Sequence, residues 1–555
     1  MSFYDDASLV FLPSGGAGKD GKAYSIKPVP EYGTELVTNG GFDTDSDWVK
    51  GTGWTISGGT ANCDGSSDIL RQSDAVPLNT KLYVSIEVSN YVSGTLQVKF
   101  APVGYALNVT KNGIYTIVTN GDNSVNDDLQ IISTAFIGSI DNVSVREVIE
   151  EDGDFTFSRG SNLTATRVDS NGLIEKGREN LLLQSNQFDT TWTLTDTSVT
   201  SGQSGYDGSN DAWLLNSTTT GSPRIQQLVS LSGVATYSVY AKSATDSFIQ
   251  FRTFGADSEA WFNLSSGTIP YAAGSQYVTS NIQSVGNGWY RCSVTFNGSL
   301  TTLRIYPASA FAVYSTSGNG VYIQDAQLEQ GLVATEYIES GATTGLAGIL
   351  EDSPRFDYSG GASCPSLLLE PSRTNLVKHS EYIGSLYSEV GTSVTDNATQ
   401  SPSGTNDAAL IYEESLSSSH WVQTDVTTSS STTYTQSAFV KKKDSGIYAS
   451  LRTNGVGGNS YIIFDFDTAT IVDEGSDIIS SGVVDYSNGW YRIHMTYTLA
   501  TISFIAGITN STTNPIPSYL GTGKGYYLWG AQLEQGSYPT SYIPNHSGGS
   551  VTREA

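Results

Sequence analysis

The chain has 555 residues, too many for one hydrophobic core, so several domains in series are expected. Only 15% of residues are charged and the formal net charge is −27, which sets the surface against phosphate backbones and anionic lipid; nucleic acid and membrane insertion are excluded as expected partners. Abundant Ser, Thr, Gly, Asn and Tyr suit strands and turns rather than surface helices, so the predicted class is all-β.

In chain order, residues 1–32 form a leader too short for a core of its own. It carries Leu9, Phe11, Leu12 and Tyr24 beside Lys19, Lys22 and Lys27, and reads as a docking arm whose apolar side chains make assembly contacts. Met1–Asp6 lacks a basic stretch followed by an apolar one, so no removable export signal is expected and synthesis in a host cytoplasm is implied. Nor does any later run approach the ~20 apolar residues of a membrane span.

A first module occupies 33–150, opening at Asn39-Gly40-Gly41-Phe42-Asp43 and closing at Ile140-Asp141-Asn142-Val143. A connector, 151–177, follows it. Modules at 178–341 and 373–547 are repeats of one another, separated by a second connector at 342–372 and followed by a tail at 548–555. Each repeat opens with Arg-x-Asn-Leu (Arg178, Arg373) and carries Asn-Gly-Trp-Tyr-Arg (Asn287, Asn488). Each closes with Gln-Leu-Glu-Gln-Gly (Gln327, Gln532) and Thr-x-Tyr-Ile (Thr335, Thr540). The distance from opening Asn to central Trp is 109 residues in one copy and 115 in the other, a match in order and spacing that defines domains without any fold assumption. Short runs of aromatic and β-branched residues between Asn-Gly turns predict strands at sandwich spacing. The expected architecture is therefore three jelly-roll or β-sandwich domains in series, with a short docking arm and packed connectors, since both connectors carry apolar residues and arginines.

The leader, the Phe155-Thr156-Phe157-Ser158-Arg159 to Glu175 connector, the Pro365-Ser366-Leu367-Leu368-Leu369-Glu370-Pro371 stretch and the Trp-Tyr-Arg and Gln-Leu-Glu motifs together resemble a group of bacteriophage structural proteins. That resemblance implies a virion surface protein of tail-fibre, head-fibre or decoration type, mated to capsid, portal or tail and forming closed homo-oligomers such as trimers. The sandwich modules are also similar to non-catalytic carbohydrate-binding modules of the jelly-roll type. This second resemblance implies host polysaccharide as a partner. It also implies a structural calcium ion, held by Asp43 and Asp141 in the first module and by Asp189 and Asp325 in the second. The third module departs from it, with Ile383-Gly384 and Trp529-Gly530 at those places.

No catalytic constellation stands out, and no cofactor is required; the chain is expected not to be an enzyme. The four histidines, His379, His420, His494 and His546, are expected to be structural, and the acid pair Asp465 and Asp467 reads equally as alternation on an acidic strand. Trp289 and Trp490 recur at equivalent places and are expected in cores. Trp213, Trp421 and Tyr527, with Tyr314, are the aromatic candidates for sugar contact. Cys63, Cys292 and Cys364 are expected to be buried free thiols. Gln327, Glu329 and their counterparts Gln532 and Glu534 fall on one face by strand period, as a solvated face or an interface. A tail adhesin and a polysaccharide depolymerase remain as alternatives to the virion structural role.

Overall fold

The computed structural model describes residues 31–555 except 101–102, 108, 110, 120–126, 150–158, 161–162, 352, 362–363, 385, 430–431, 456–458, 487 and 555. The leader side chains Leu9, Phe11, Leu12 and Tyr24 lie outside the described residues, as does most of the first connector's Phe-Thr-Phe-Ser run. The fold is all-β: every pairing is antiparallel, and one three-residue 3-10 turn, Ser359–Gly361, is the sole helical element among the described residues. The chain divides into two compact units, residues 1–155 and 156–555.

In the first unit the strands Leu82–Phe100 and Leu129–Ile149 are long enough to run through both layers of a sandwich. Their alternation is clean: Leu82, Val84, Ile86 and Val88 point inward and the residues between them do not. Phe42, Trp48, Trp54 and Phe136 fill the core. The second unit holds both repeats and the connectors. In the third module the strands form two six-stranded sheets. The second module has the same order, but Arg224–Ser243 and Trp289–Ala310 each pass from one sheet into the other, so the sheets read as continuous. The register breaks between Leu228 and Leu231, where the chain changes sheets.

All three modules close alike. Leu36 N–H donates to Val145 O, Leu181 to Leu328 O and Leu376 to Leu533 O, at 2.8–2.9 Å. Val143, Ala326 and Ala531 likewise donate to Gly40, Ser185 and Ser380. Just before these residues the closing strand bulges through a residue of positive φ: Asn142 (46°), Asp325 (53°) and Gly530 (63°). Asn, Asp and Gly are the residues that accept this conformation at least cost.

The motifs shared by the repeats meet in one buried polar lock. Asn375 is fully buried; its Nδ2 donates to Ala531 O and Ile543 O, and its Oδ1 accepts from Val377 N and Leu533 N. Asn180 makes the same four bonds in the second module. Gln532 bridges Glu534 and Ile543 N, Glu534 accepts twice from Thr540, and Arg492 donates to Thr540 O and Ser437. Gln327, Glu329 and Arg291 repeat this arrangement. Gln327, Glu329, Gln532 and Glu534 are thus buried inside their own modules, which corrects the expectation of a solvated face or an interface. A buried, unpaired polar group would be costly, and the mutual satisfaction removes that cost.

Arg178–Asn180 pairs with Gly345–Ala347, and Arg373–Asn375 with Val551–Arg553. Short strands paired with the opening strands therefore lie in 342–372 and 548–555, the segments expected to be connector and tail. A strand in 342–372 or 548–555 was missed because three residues are too few to show a period. The connectors pack as expected. The hairpin Thr166–Val168/Ile174–Lys176 sits on the third module, with Ile174 in a core cluster beside Phe439, Trp490 and Trp529. Lys176 Nζ lies 3.2 Å from both oxygens of buried Glu381. Glu370 of the second connector lies between Arg355 (2.8 Å) and Arg553 (2.9 Å). Burial pushes its carboxyl up, but Arg553, Ser541 and Arg355 outweigh that and hold it below the usual range. Among the described residues no helix is long and apolar enough to cross a membrane.

Candidate functional site

The outer sheet of the second module is built so that its core face is apolar and its other face is aromatic. In Phe248–Phe254, Ile249, Phe251 and Thr253 are buried toward the core, and Gln250, Arg252 and Phe254 alternate onto the opposite side. The neighbours supply matching pairs: Trp261 and Tyr306 stand opposite Gln250, Glu259 and Arg304 opposite Arg252, and Tyr271 opposite Trp261. The loop after this sheet folds Tyr314 between two of those rings, with centroids 5.1 Å from Tyr306 and 5.6 Å from Trp261 and interplanar angles of 22° and 21°. Phe311 meets Trp261 edge-on at 5.6 Å and Tyr271 at 5.7 Å.

Trp261 and Tyr306 are buried beneath this layer, whereas Tyr271 (41% exposed) and Phe311 (46%) present ring surface to solvent, with Val313 beside them. Polar groups fix the platform. Tyr314 Oη donates to Gln250 Oε1 at 3.0 Å, and Gln250 Nε2 donates to Glu259 Oε2 at 2.8 Å. Burial pushes the Tyr314 hydroxyl up, with Tyr306 adding to it, so it stays a neutral donor. Arg304 and Arg252 lie over the Phe254 ring, at 4.0 and 5.0 Å. Exposed rings edged by fixed hydrogen-bonding groups can stack a ring-shaped polar ligand and orient its hydroxyls.

The sequence candidates scatter. Trp213 is a core residue: it is 7% exposed, its Nε1 donates to Asn186 O at 2.9 Å and Phe188 packs edge-on against it, so no ring face is free for a sugar. Trp421 is half-buried on the third module's outer sheet, opposite Val390 and Gly507. Tyr527 lies in the other sheet, between Leu410 and Lys441. Tyr314 is the one that joins the platform. Phe311, Tyr271 and Trp261 were missed, though the alternation in 258–263 and 268–273 could have placed two of them on one face.

The acidic candidates also separate. Asp43 and Asp141 converge on Gly41, each with a carboxylate oxygen within 4.0 Å of where a Cβ would stand, so they can offer two of the six to eight oxygens calcium takes. Asp189 is exposed, whereas Asp325 is buried; the groups that act on it are Tyr206, whose hydroxyl donates at 3.0 Å, Asp211, Asp207 and Tyr337. Burial, helped by Asp211 and Asp207, pushes its carboxyl up to about 7, against the Tyr206 hydrogen bond that draws it down. By the shared bulge, Asp325 corresponds to Asn142, and Asp141 to Gln324; the motif alignment was one residue out. Among the described residues the acids that gather as a group of three close enough to share an ion are Asp74, Asp127 and Asp128, and Arg71 already pairs with Asp128 at 3.3 Å.

The remaining sequence features are structural. Trp289 and Trp490 are buried. Asp465 accepts from Asp467 N–H to shape a turn, and Asp467 pairs with Lys442. His420 Nε2 meets Tyr519 O at 3.2 Å, and His546 O accepts from Val234 N–H, tying the third module to the second. Cys63 and Cys292 are buried, but Cys364 is exposed because the short hairpin Phe356–Asp357/Ser366–Leu367 has no core over it.

No protein-family model and no curated protein matches the chain. Among solved structures, the chain is similar to the N-terminal tandem CBM22-1–CBM22-2 domain of Paenibacillus barcinonensis Xyn10C. The identity is 13%, covering 69% of this chain and 100% of that one, with a TM-score of 0.19. It is also similar to the tandem CBM51 modules of Sp3GH98, a family 98 glycoside hydrolase of Streptococcus pneumoniae SP3-BS71, at 10% identity, 67% and 97% coverage and a TM-score of 0.16.

Proposed function

We propose that the chain is a non-enzymatic structural protein carried on the surface of a bacteriophage particle, as a fibre or decoration, and that it attaches to host-surface glycans. The observation that carries the glycan reading is the platform of Tyr271, Phe311 and Tyr314 over Trp261: rings exposed side by side on a rigid sheet, with Gln250 and Glu259 fixing its polar edge. The particle reading is supported by the ordered series of phage-like motifs along the chain. On this reading residues 1–32 dock to capsid, portal or tail, and copies join as a closed homo-oligomer such as a trimer. Multiple copies would turn weak single-site contacts into firm attachment. The acidic, hydroxyl-rich surface suits high copy number outside a cell.

Two measurements test it. Antibody labelling of purified particles should decorate their surface, and absence of the chain from those particles would refute the particle reading. A glycan array probed with the full-length protein should give hits that the double variant Tyr271→Ala/Phe311→Ala loses while keeping its unfolding midpoint. Hits unchanged in that variant would refute the site.

A further inference from the structure

We infer that the ring-lined face of the second module selects acidic glycans, through an arginine triad formed by Arg224, Arg252 and Arg304. This rests on the glycan-binding reading of the same face and narrows its ligand to an anionic sugar chain.

The chain has 28 Lys and Arg against 55 Asp and Glu, so three arginines on one small surface run against its overall charge. They come from three adjacent strands. Arg252 stands directly opposite Arg304, and Arg224 immediately precedes the Ile225–Ile305 pair, beside Tyr306. Like charges directly opposite one another across a sheet are destabilising. Glu259 is the acid at this patch, and its oxygen is 3.9 Å from Arg252 Nε while also accepting from Gln250. Arg224 and Arg304 donate instead to neutral oxygens, Ser222 O at 3.1 Å and Tyr306 Oη at 3.2 Å. The Nε of each of the three is sheltered and has no hydrogen-bond partner.

The guanidinium groups are held in place before any ligand arrives, since Arg252 and Arg304 share the Phe254 ring. A planar, oriented fork is the group that best meets a carboxylate or sulfate through paired bonds. Arg252 is two residues from Gln250, one repeat along the same face and about 7 Å from the aromatic row. A sugar stacked on the exposed rings therefore leads its neighbour toward the cations.

The third module provides a comparison within the same chain. Arg452 pairs with Tyr461 and Ile505, as Arg252 pairs with Glu259 and Arg304, so Ile505 stands where the second module has Arg304. Trp421, preceding the Val422–Ala506 pair, stands where it has Arg224. The repeats keep the buried lock identical and differ here, on a surface that the fold leaves free to vary.

The test is affinity electrophoresis of the full-length protein in gels containing polygalacturonate, dextran sulfate, neutral xylan or poly-glutamate. Retardation is expected with one or both acidic glycans, the responding arm naming the anion, and should fade as salt is raised. Arg252→Gln and Arg304→Gln should each weaken it about tenfold or more, whereas Arg452→Gln should not, with unfolding midpoints matching the parent. Retardation by xylan that the arginine variants leave unchanged would overturn the acidic selection but keep the glycan reading. Equal retardation by poly-glutamate would overturn selection of a sugar. Failure of every glycan to retard the protein would overturn the glycan reading itself.

Discussion

Replacing Asn375 with alanine tests the physical claim that the repeated motifs exist to close the sandwich. The side chain is fully buried and makes four hydrogen bonds at 3.0–3.2 Å, two donated and two accepted, joining the opening strand to Ala531, Leu533 and Ile543. Truncation takes that partner away from two backbone carbonyls and two N–H groups in the buried interior. Each buried orphan costs about 1–3 kcal/mol, so a loss of about 4 kcal/mol or more is expected even if relaxation rescues some of them. Few point substitutions reach that size. Chemical denaturation followed by tryptophan fluorescence measures it, with Asn180→Ala as the twin in the second module, where the same four bonds occur. Asn375→Asp should also be severely destabilising at neutral pH, because an ionised carboxylate would face Ala531 O and Ile543 O. Acidification should recover part of that loss by restoring one donor. A loss within about 1 kcal/mol for both alanine variants would refute the reasoning, since that is the net worth of a single ordinary hydrogen bond.

Two further predictions concern the junction between connector and third module. Lys176 is held charged: burial works against it, but Glu381 and Asp407 outweigh that and raise its affinity for the proton. Lys176→Met should leave Glu381 buried without its cation, costing about 3–5 kcal/mol. It should also make the connector susceptible to limited proteolysis, and an uncut variant as stable as the parent would refute the pairing. The pH response of the junction comes from two groups of opposite sign. His546 is depressed from 6.5 to about 3, by burial first and then by Lys176, so its contribution is present above pH 6.5 and lost as pH falls toward 3. Asp407 is raised from 3.8 to about 6, by burial first and then by Glu381; its contribution is present below pH 3.8 and lost as pH rises through 6. Between pH 6 and pH 4 they offset one another. Asp407→Asn should therefore uncover a loss of up to about 1.4 kcal/mol per pH unit on acidification. Denaturation midpoints at the two pH values check this, and an unchanged profile in Asp407→Asn would refute it.

The fold was legible where the sequence repeats itself. Asn180 and Asn375, and Gln327 and Gln532, make the same bonds in both copies, because a buried polar lock tolerates few substitutions and so leaves a recognisable string, and Trp289 and Trp490 are buried alike. Their burial was not legible: Gln and Glu at alternate positions look like a solvated face until the loop carrying Thr335 or Thr540 is folded over them. The platform was hidden for a related reason. Trp261, Tyr271, Phe311 and Tyr314 come from three separate segments, and nothing local distinguishes a ring that stacks in the open from one that fills a core. Trp213 shows the converse, an isolated indole that reads as available yet sits over Phe188 in the core. The second module's closing acid is offset by one residue because Asp325 takes the left-handed bulge position that Asn142 and Gly530 hold in the other modules, whereas Asp141 stands one residue before it.

The pattern of likeness and difference between the two repeats separates stability from recognition. Both must satisfy the same buried backbone groups to close, so the lock is fixed by physics that acts equally on each. Nothing in that physics requires Arg304 where the other copy has Ile505, or the ring layer of Trp261 and Tyr314 where the other copy has Ile463 standing opposite Ser450 and Asp473. In the third module the corresponding loop is drawn down instead, with Ser450 Oγ donating to Pro515 O at 2.9 Å. An apolar position opposite Arg452 avoids like-charge repulsion; the second module accepts that repulsion between Arg252 and Arg304. A cost retained in one copy and absent from its twin is the physical signature of a face shaped by what it binds rather than by the fold beneath it.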